Sequence, residues 1–343
     1  LSWHWTGDIV DVVYVDRGFG FLKAGRAESD RALVTQSLIM PGTTIPGLSD
    51  DHLTMTYRGI TYLVGNTAAK QGGLASHADL ADEAPVGDES RLLYLAALAF
   101  LAGHTGAFRF KVVAGLPVDT WERYKDALRQ MLLGIRQEVV ELRVGDQEIR
   151  VALTVDDAMV MPQPLGSAMD FLLDDHGSLD HLVDFPQKIA GRESWLAEEV
   201  ANWRWCVLDI GFNTLNTYVL DDMEPIRRFS TSPKLGMAYA YQLIGRAAGG
   251  LSEIDVQDLL RKGQIEGQAA AFEELGRQIT RVVRSWNDQR FAFYLVTGGG
   301  AALLFPYILP GEPAKIMAQD PQRANGRGYL KAGMQRWAAG VNA

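Results

Sequence analysis

Leu208-Asp209-Ile210-Gly211-Phe212-Asn213 repeats, nearly two hundred residues later, the pattern of Val15-Asp16-Arg17-Gly18-Phe19-Gly20. Each copy follows an apolar run, Val12-Val13-Tyr14 in the first case and Trp205-Cys206-Val207 in the second, and each precedes another. This spacing predicts strand, tight turn, strand, with an aspartate ending the first strand and a glycine two residues on. Glycine allows a close backbone approach that a Cβ blocks, so its amide can face a phosphate. At this point the repeat has two readings. It is a pair of ordinary aspartate-glycine turns, or it is two phosphate-facing turns, one in each half of a duplicated fold.

The length of 343 residues suits two domains of ordinary size. A hydrophobic content of 47% with 22% charged residues is that of a soluble globular protein. The formal charge of −9, from 33 basic and 42 acidic residues, argues against broad, direct binding to nucleic-acid phosphates. The single cysteine, Cys206, rules out an intramolecular disulfide and suits a reducing cytosol. Its place in an apolar strand favours buried packing over reactivity. Leu1 to Asp8 lacks a basic stretch followed by an apolar one, so no secretory signal is expected there. The most apolar stretch, Leu92–Ala102, is too short to span a bilayer and reads as a buried helix. The expectation is a soluble, cytoplasmic protein without membrane contact.

Along the chain, strands are expected at Ile9–Val15, Phe21–Ala24, Ala32–Leu38, Leu53–Tyr57, Ile60–Val64 and Phe108–Ala114. Pro41, Gly42, Pro46 and Gly47 break the pattern, and Gly72–Asp88 reads as a loop or linker. Helices follow at Ser90–Leu101 and Trp121–Leu133, the latter capped by Asp119 or Thr120. Strands at Gln137–Val144 and Glu148–Val155 close the first half. In the second half a helix is expected at Leu165–Leu173, strands at Trp205–Leu220, Ile226–Ser230 and Phe291–Val296, and helices at Leu235–Ala248, Val256–Arg261 and Gly267–Asn287. Leu173–Ala201 is polar, charged and without clear periodicity. Ala324–Ala339 reads as a loop followed by a helix. Strands first and helices after, in both halves, suggest a duplicated α/β architecture.

Gly298-Gly299-Gly300-Ala301 directly follows an apolar strand and suits either a nucleotide-contacting turn or a flexible one. It is not a Walker A loop, since no Gly-Lys-Ser/Thr follows. Asp174, Asp175, His176, Asp180, His181 and Asp184 lack a recognised ligand spacing and read as a solvated loop. No Gly-x-Ser-x-Gly elbow is present to support nucleophilic catalysis. The Trp203/Trp205 pair reads as strand packing.

Taken in order, the two aspartate turns and the triple-glycine turn resemble the actin-like ATPases. The fold this implies is α/β, two ribonuclease-H-like domains with a nucleotide cleft between them. By that resemblance the first phosphate turn is Asp16–Lys23, the connecting helix Gln163–Asp170, the second phosphate turn Asp209–Asn216 and the adenosine turn Gly298–Ala301. Three segments are similar to those of the plasmid-segregation (ParM/StbA-like) branch of bacterial and archaeal actins: Val112-Val113-Ala114-Gly115-Leu116-Pro117, Met161-Pro162-Gln163-Pro164-Leu165-Gly166 and Arg323-Ala324-Asn325-Gly326-Arg327-Gly328-Tyr329. Residues 1–162 and 323–343 would form domain I, with a small β-rich subdomain at about 39–85. Residues 163–322 would form domain II, with a helical subdomain at about 231–287. Arg17, Phe21 and Asn216 depart from the family pattern, and the segment His176–Asn202 is longer than its usual counterpart.

The resemblance implies a Mg²⁺-dependent ATPase, with GTP as the alternative nucleotide. Asp16 and Asp209 would hold Mg²⁺ through water and serve catalysis, and Gln163 would orient the attacking water. Gly18, Gly20, Gly211, Asn213 and Thr214 would cradle phosphates, Lys23 would neutralise their charge, and Gly298, Gly299 and Gly300 would lie against adenosine. Implied partners are further copies of the chain, stacked head to tail in filaments, and a DNA-binding adaptor in place of direct nucleic-acid contact. A small-molecule kinase or a pilus- or division-type assembly scaffold is the competing reading of the same fold.

Overall fold

The computed structural model describes residues 10–26, 29–43, 52–71, 85–189, 191–265, 268–286 and 290–338. The readings above for Leu1–Asp8, for Pro46-Gly47 and for most of Gly72–Asp88 lie outside these residues. Two compact units emerge: Leu1–Leu116 with Thr120–Pro162 and Tyr329–Ala343, and Pro117–Asp119 with Gln163–Gly328.

The first unit is built from β1 (Asp11–Arg17), β2 (Phe21–Arg26), β3 (Ser29–Gln36), β4 (Ile39–Pro41), β5 (Leu53–Tyr57), β6 (Ile60–Val64), α1 (Asn66–Gln71), α2 (Asp88–Ala102), β7 (Gly106–Leu116), α3 (Val118–Leu133) from Thr120 onward, β8 (Glu138–Val144) and β9 (Gln147–Pro162). Its strands form one sheet in the order β3-β2-β1-β7-β9-β8-β5-β6-β4. β1 pairs antiparallel with β2 and parallel with β7, and β7 pairs parallel with β9. The inner parallel strands read as continuous apolar runs because both faces are covered; Val112, Val113 and Ala114 are all fully buried. α2 is apolar around its whole circumference, and Leu93 through Ala99 lie in the core. Gly103 ends it in the left-handed region, φ +79°. The Gly115-Leu116-Pro117 turn is a packing feature here: a Cβ on Gly115 would stand 1.9 Å from the hydroxyl of Tyr329, which is fully buried in the C-terminal helix.

The second unit holds α4 (Gln163–Leu172), β10 (Leu182–Ile189), β11 (Arg192–Leu196), α5 (Ala197–Ala201), β12 (Arg204–Ile210), β13 (Leu215–Asp221), β14 (Glu224–Pro225), α6 (Met237–Ala247), α7 (Glu253–Arg261), α8 (Gln268–Arg284), β15 (Tyr294–Thr297), α9 (Ala301–Leu304), β16 (Lys315–Met317) and the start of α10 (Ala324–Ala338). Its sheet runs β14-β13-β12-β15-β16, two antiparallel pairings followed by two parallel ones. That is the pairing pattern of β3-β2-β1-β7-β9, so the repeat in the sequence is a repeat of topology. Alternation along β12 sends Cys206, Leu208 and Ile210 to a core with α6 and α8, and Trp205 and Val207 to a second core beneath α4. Burial pushes the Cys206 thiol well above its usual pKa, as its reading as an inert core residue requires.

Four local readings change. Leu173–Ala201, which the sequence shows only as polar and without clear periodicity, contains the β10–β11 hairpin, held by a cluster of Phe171, Phe185, Trp195, Trp203 and Phe293. Burial alternates along β10, with Val183, Phe185 and Ile189 inward and Asp184, Pro186 and Lys188 outward; the outward Leu182, the proline and the inward Gln187 weaken that pattern in the sequence. α3 begins at Val118, before its expected cap; the Asp119 carboxylate instead accepts the Ser232 N–H at 3.0 Å. Within Ile226–Ser230, Arg227–Phe229 is a 3₁₀ turn and not a strand. Residues 324–328 pack with the second unit, because Arg327 pairs with Asp170 and Gly328 lies against the Gly166 carbonyl, where a Cβ would come within 1.7 Å.

Candidate functional site

β1–β2 and β12–β13 close on the same turn. Asp16 stands opposite Lys23 and Asp209 opposite Asn216, seven residues apart in both hairpins. The Gly18 N–H donates to the Phe21 carbonyl and the Gly211 N–H to the Thr214 carbonyl, each at 2.9 Å. A Cβ on Gly18 would lie 3.2 Å from the Phe21 carbonyl oxygen, and one on Gly211 3.1 Å from that of Thr214. Each glycine is therefore set by the tightness of its turn.

Both turns are also held from behind. In the first, the Ser37 hydroxyl donates to the Gly18 carbonyl at 2.6 Å and the Ser37 N–H to the Gly20 carbonyl at 3.1 Å. In the second, the N–H groups of Gly236, Met237 and Ala238 donate to the carbonyls of Asn213, Gly211 and Phe212. The first turn of α6 is thus spent on fixing the loop. Gly236 is required there, since a Cβ would come within 2.3 Å of the Phe212 carbonyl oxygen.

The carboxylates are buried, Asp16 at 2% exposure and Asp209 at 4%, and their partners differ. Lys23 Nζ lies 3.5 Å from Asp16 Oδ2. Asp209 Oδ2 accepts from Asn216 Nδ2 at 3.3 Å and from Asn325 Nδ2 at 3.1 Å. Asn216 Nδ2 also reaches Gln163 Oε1 at 3.4 Å, and Asn216 Oδ1 accepts from the Ser232 hydroxyl at 2.7 Å. Gln163 opens α4 and is buried beside the second turn.

Alternation places Arg17 on the face opposite Asp16. Burial lowers its guanidinium pKa, while Tyr94 and Glu89 of α2 act in the opposite sense. This departure from the family pattern therefore points away from the turn carboxylate. Phe21 and Thr214 are equivalent turn positions, so only the second turn carries a hydroxyl there.

The three glycines after β15 are not alike. Gly298, at φ +89°, packs on the second turn: a Cβ would stand 2.4 Å from Asp209 Oδ1 and 2.6 Å from the Ile210 carbonyl oxygen. Gly300 is closed off by Met237 and Ile210, while a Cβ on Gly299 would meet nothing within 4 Å. Gly299 alone borders open space.

Each buried carboxylate at its strand end is a hard oxygen donor of the kind Mg²⁺ takes, alongside substrate phosphates and retained waters. Among the described residues no group of three or more His, Cys, Asp or Glu side chains gathers to hold a metal. Asp174 belongs to a turn, its Oδ1 accepting the N–H groups of Ser178 and His176 at 2.7 and 2.9 Å, and Asp184 lies in β10 against the Ser194 hydroxyl. Sequence reasoning assigned no role to Asn325, Ser167, Thr297 or Ser37. Asn325 stood within a quoted motif; the others carried no signal, because their partners are distant in sequence.

Residues 15–166 match the family model for the N-terminal domain of actin-like proteins. A 15-stranded ParM filament from Clostridium botulinum superposes with a TM-score of 0.72 at 20% identity, over 95% of this chain and 99% of that one. An archaeal actin homologue in complex with ADP gives 0.67 at 19% identity, over 95% and 100%. AlfA from a Bacillus subtilis plasmid, in its filament structure, gives 0.59 at 15%, over 94% and 98%. The sequence matches no curated protein. No helix among the described residues is long and apolar enough to cross a membrane. The chain has the two-domain actin-like fold, and its residues 15–166 are similar to the N-terminal domain of actin-like proteins.

Proposed function

We propose that this protein is a nucleotide-dependent, filament-forming ATPase of the plasmid-segregating kind, cytoplasmic and linked to DNA through an adaptor. The observation that carries the nucleotide reading is the shared turn: a buried aspartate, a glycine two residues on and an N–H closed on a carbonyl at 2.9 Å, in both hairpins. The ADP-bound archaeal homologue and the ParM and AlfA filaments support the nucleotide and the self-association respectively.

Asp209 receives neutral amide donors, so its negative charge is oriented without being cancelled. Asp16 faces a lysine, which leaves the first turn near neutral and places an ammonium in the same turn as the Gly20 amide, the phosphate donor there, since the Gly18 N–H is spent on the Phe21 carbonyl. Mg²⁺, when bound, would neutralise phosphate charge and would be held through water chiefly by Asp209, with Asp16 secondary. The amides of Asn213 and Thr214 complete the phosphate cradle, the Gly211 N–H being spent on the Thr214 carbonyl, and Gly299 offers the flat surface for adenosine that Gly298 and Gly300 position. Gln163 orients water for in-line attack.

A second reading has one observation in its favour. Asn216 engages Gln163 Oε1, and an amide tied to a neighbour is a poorer water-holder; a nucleotide-binding scaffold with very slow turnover uses the same geometry. Purified protein with Mg²⁺ and ATP decides between them. The ATPase reading expects phosphate release together with pelletable filaments that disappear as ADP accumulates. Nucleotide binding without turnover supports the scaffold, and absence of both rejects the proposal.

A further inference from the structure

We propose that Asn325 is the positioning residue of the Asp209 carboxylate, the group that orients it toward a nucleotide-bound divalent cation. This rests on the nucleotide reading above and adds to it a residue to which no role was given. The Ser167 N–H donates to Asn325 Oδ1 at 3.2 Å, and the Ser167 hydroxyl approaches the same oxygen at 2.6 Å. A backbone N–H is a donor without ambiguity, so Oδ1 must face Ser167 and Nδ2 must face Asp209. Thr297, the last residue of β15, sits 2.8 Å from the Ser167 hydroxyl and backs it.

Asn325, Ser167, Thr297 and Asp209 are each more than nine-tenths buried. Oδ2 of Asp209 is held by two side-chain amides, and Oδ1 lies against Gly298, leaving little rotational freedom. Both amides are neutral. A lysine in place of Asn325 would hold the carboxylate equally well and cancel the charge that a cation needs. Outer-shell partners of this kind typically change metal affinity by about 10–100-fold when removed.

The test measures binding of a fluorescent ATP analogue as Mg²⁺ is titrated, with binding in EDTA as the control. Asn325→Leu keeps the volume and removes the hydrogen bond; Asn325→Ala removes both. The expectation for each soluble variant is a rise of about tenfold in the half-saturating Mg²⁺ concentration, with EDTA binding changed less than about twofold. A purely structural role would weaken binding equally with and without Mg²⁺, or leave both unchanged, and either result overturns the proposal. Asp209→Ala is measured alongside. If it alone loses the Mg²⁺ response, the positioning role fails and the nucleotide reading stands; if it keeps a wild-type response, both fall.

Discussion

The hairpin at Asp16 and the hairpin at Asp209 share a register, a turn and a buried carboxylate, and differ in what faces that carboxylate. Lys23 faces Asp16 at 3.5 Å, whereas Asn216 and Asn325 face Asp209 at 3.3 and 3.1 Å. A cation beside a carboxylate lowers its attraction for a second cation; an amide orients it and leaves the charge intact. The same backbone thus occurs twice, and the residue seven positions after each aspartate sets the charge beside it; on the proposed function this divides the work between phosphate and metal.

The largest expected effect breaks the comparison at its metal side. Asp209→Ala should lower Mg²⁺-dependent ATP turnover on the order of 100-fold, with the fold preserved by circular dichroism. Asp16→Ala should cost less, since Lys23 already offsets that charge; an equal loss would erase the division of roles. Gln163→Ala should slow turnover about tenfold with nearly unchanged ATP affinity, because a water-orienting group acts in the transition state. Single-turnover phosphate release and equilibrium binding separate the two quantities. Lys23→Asn makes the first turn resemble the second and should weaken nucleotide binding about tenfold, as loss of a charge-assisted contact does. Isothermal titration checks it.

The smallest effect belongs to the glycines. Gly299→Ala should leave the melting temperature within a degree or two and weaken nucleotide binding a few-fold, whereas Gly300→Ala should lower the melting temperature by several degrees, since its Cβ would press on Met237 and Ile210. Reversal of that order would contradict the assignment of open space to Gly299.

The sequence carried the two hairpins, the helix that holds Ser167 and the triple-glycine turn because each is local: apolar alternation, a glycine, a strand end. It did not carry Asn325–Asp209 or Ser167–Asn325, whose partners lie more than a hundred residues apart and meet only when β12, α4 and α10 assemble. Nor did it carry the β10–β11 hairpin, whose alternation is short and interrupted by Pro186 and Gln187, and which packs near rings from Phe171, Trp203 and Phe293. The departures at Arg17 and Asn216 were visible as residue types; their meaning required the face each occupies. Arg17 points toward α2, and Asn216 toward Asp209 and Gln163.

The division between the two turns rests most directly on ATP turnover measured across a Mg²⁺ titration in wild type, Asp16→Ala and Asp209→Ala. The account predicts that Asp209→Ala gives almost no Mg²⁺-dependent turnover, while Asp16→Ala keeps a reduced rate that still saturates with Mg²⁺. A wild-type rate and Mg²⁺ requirement in Asp209→Ala would contradict it.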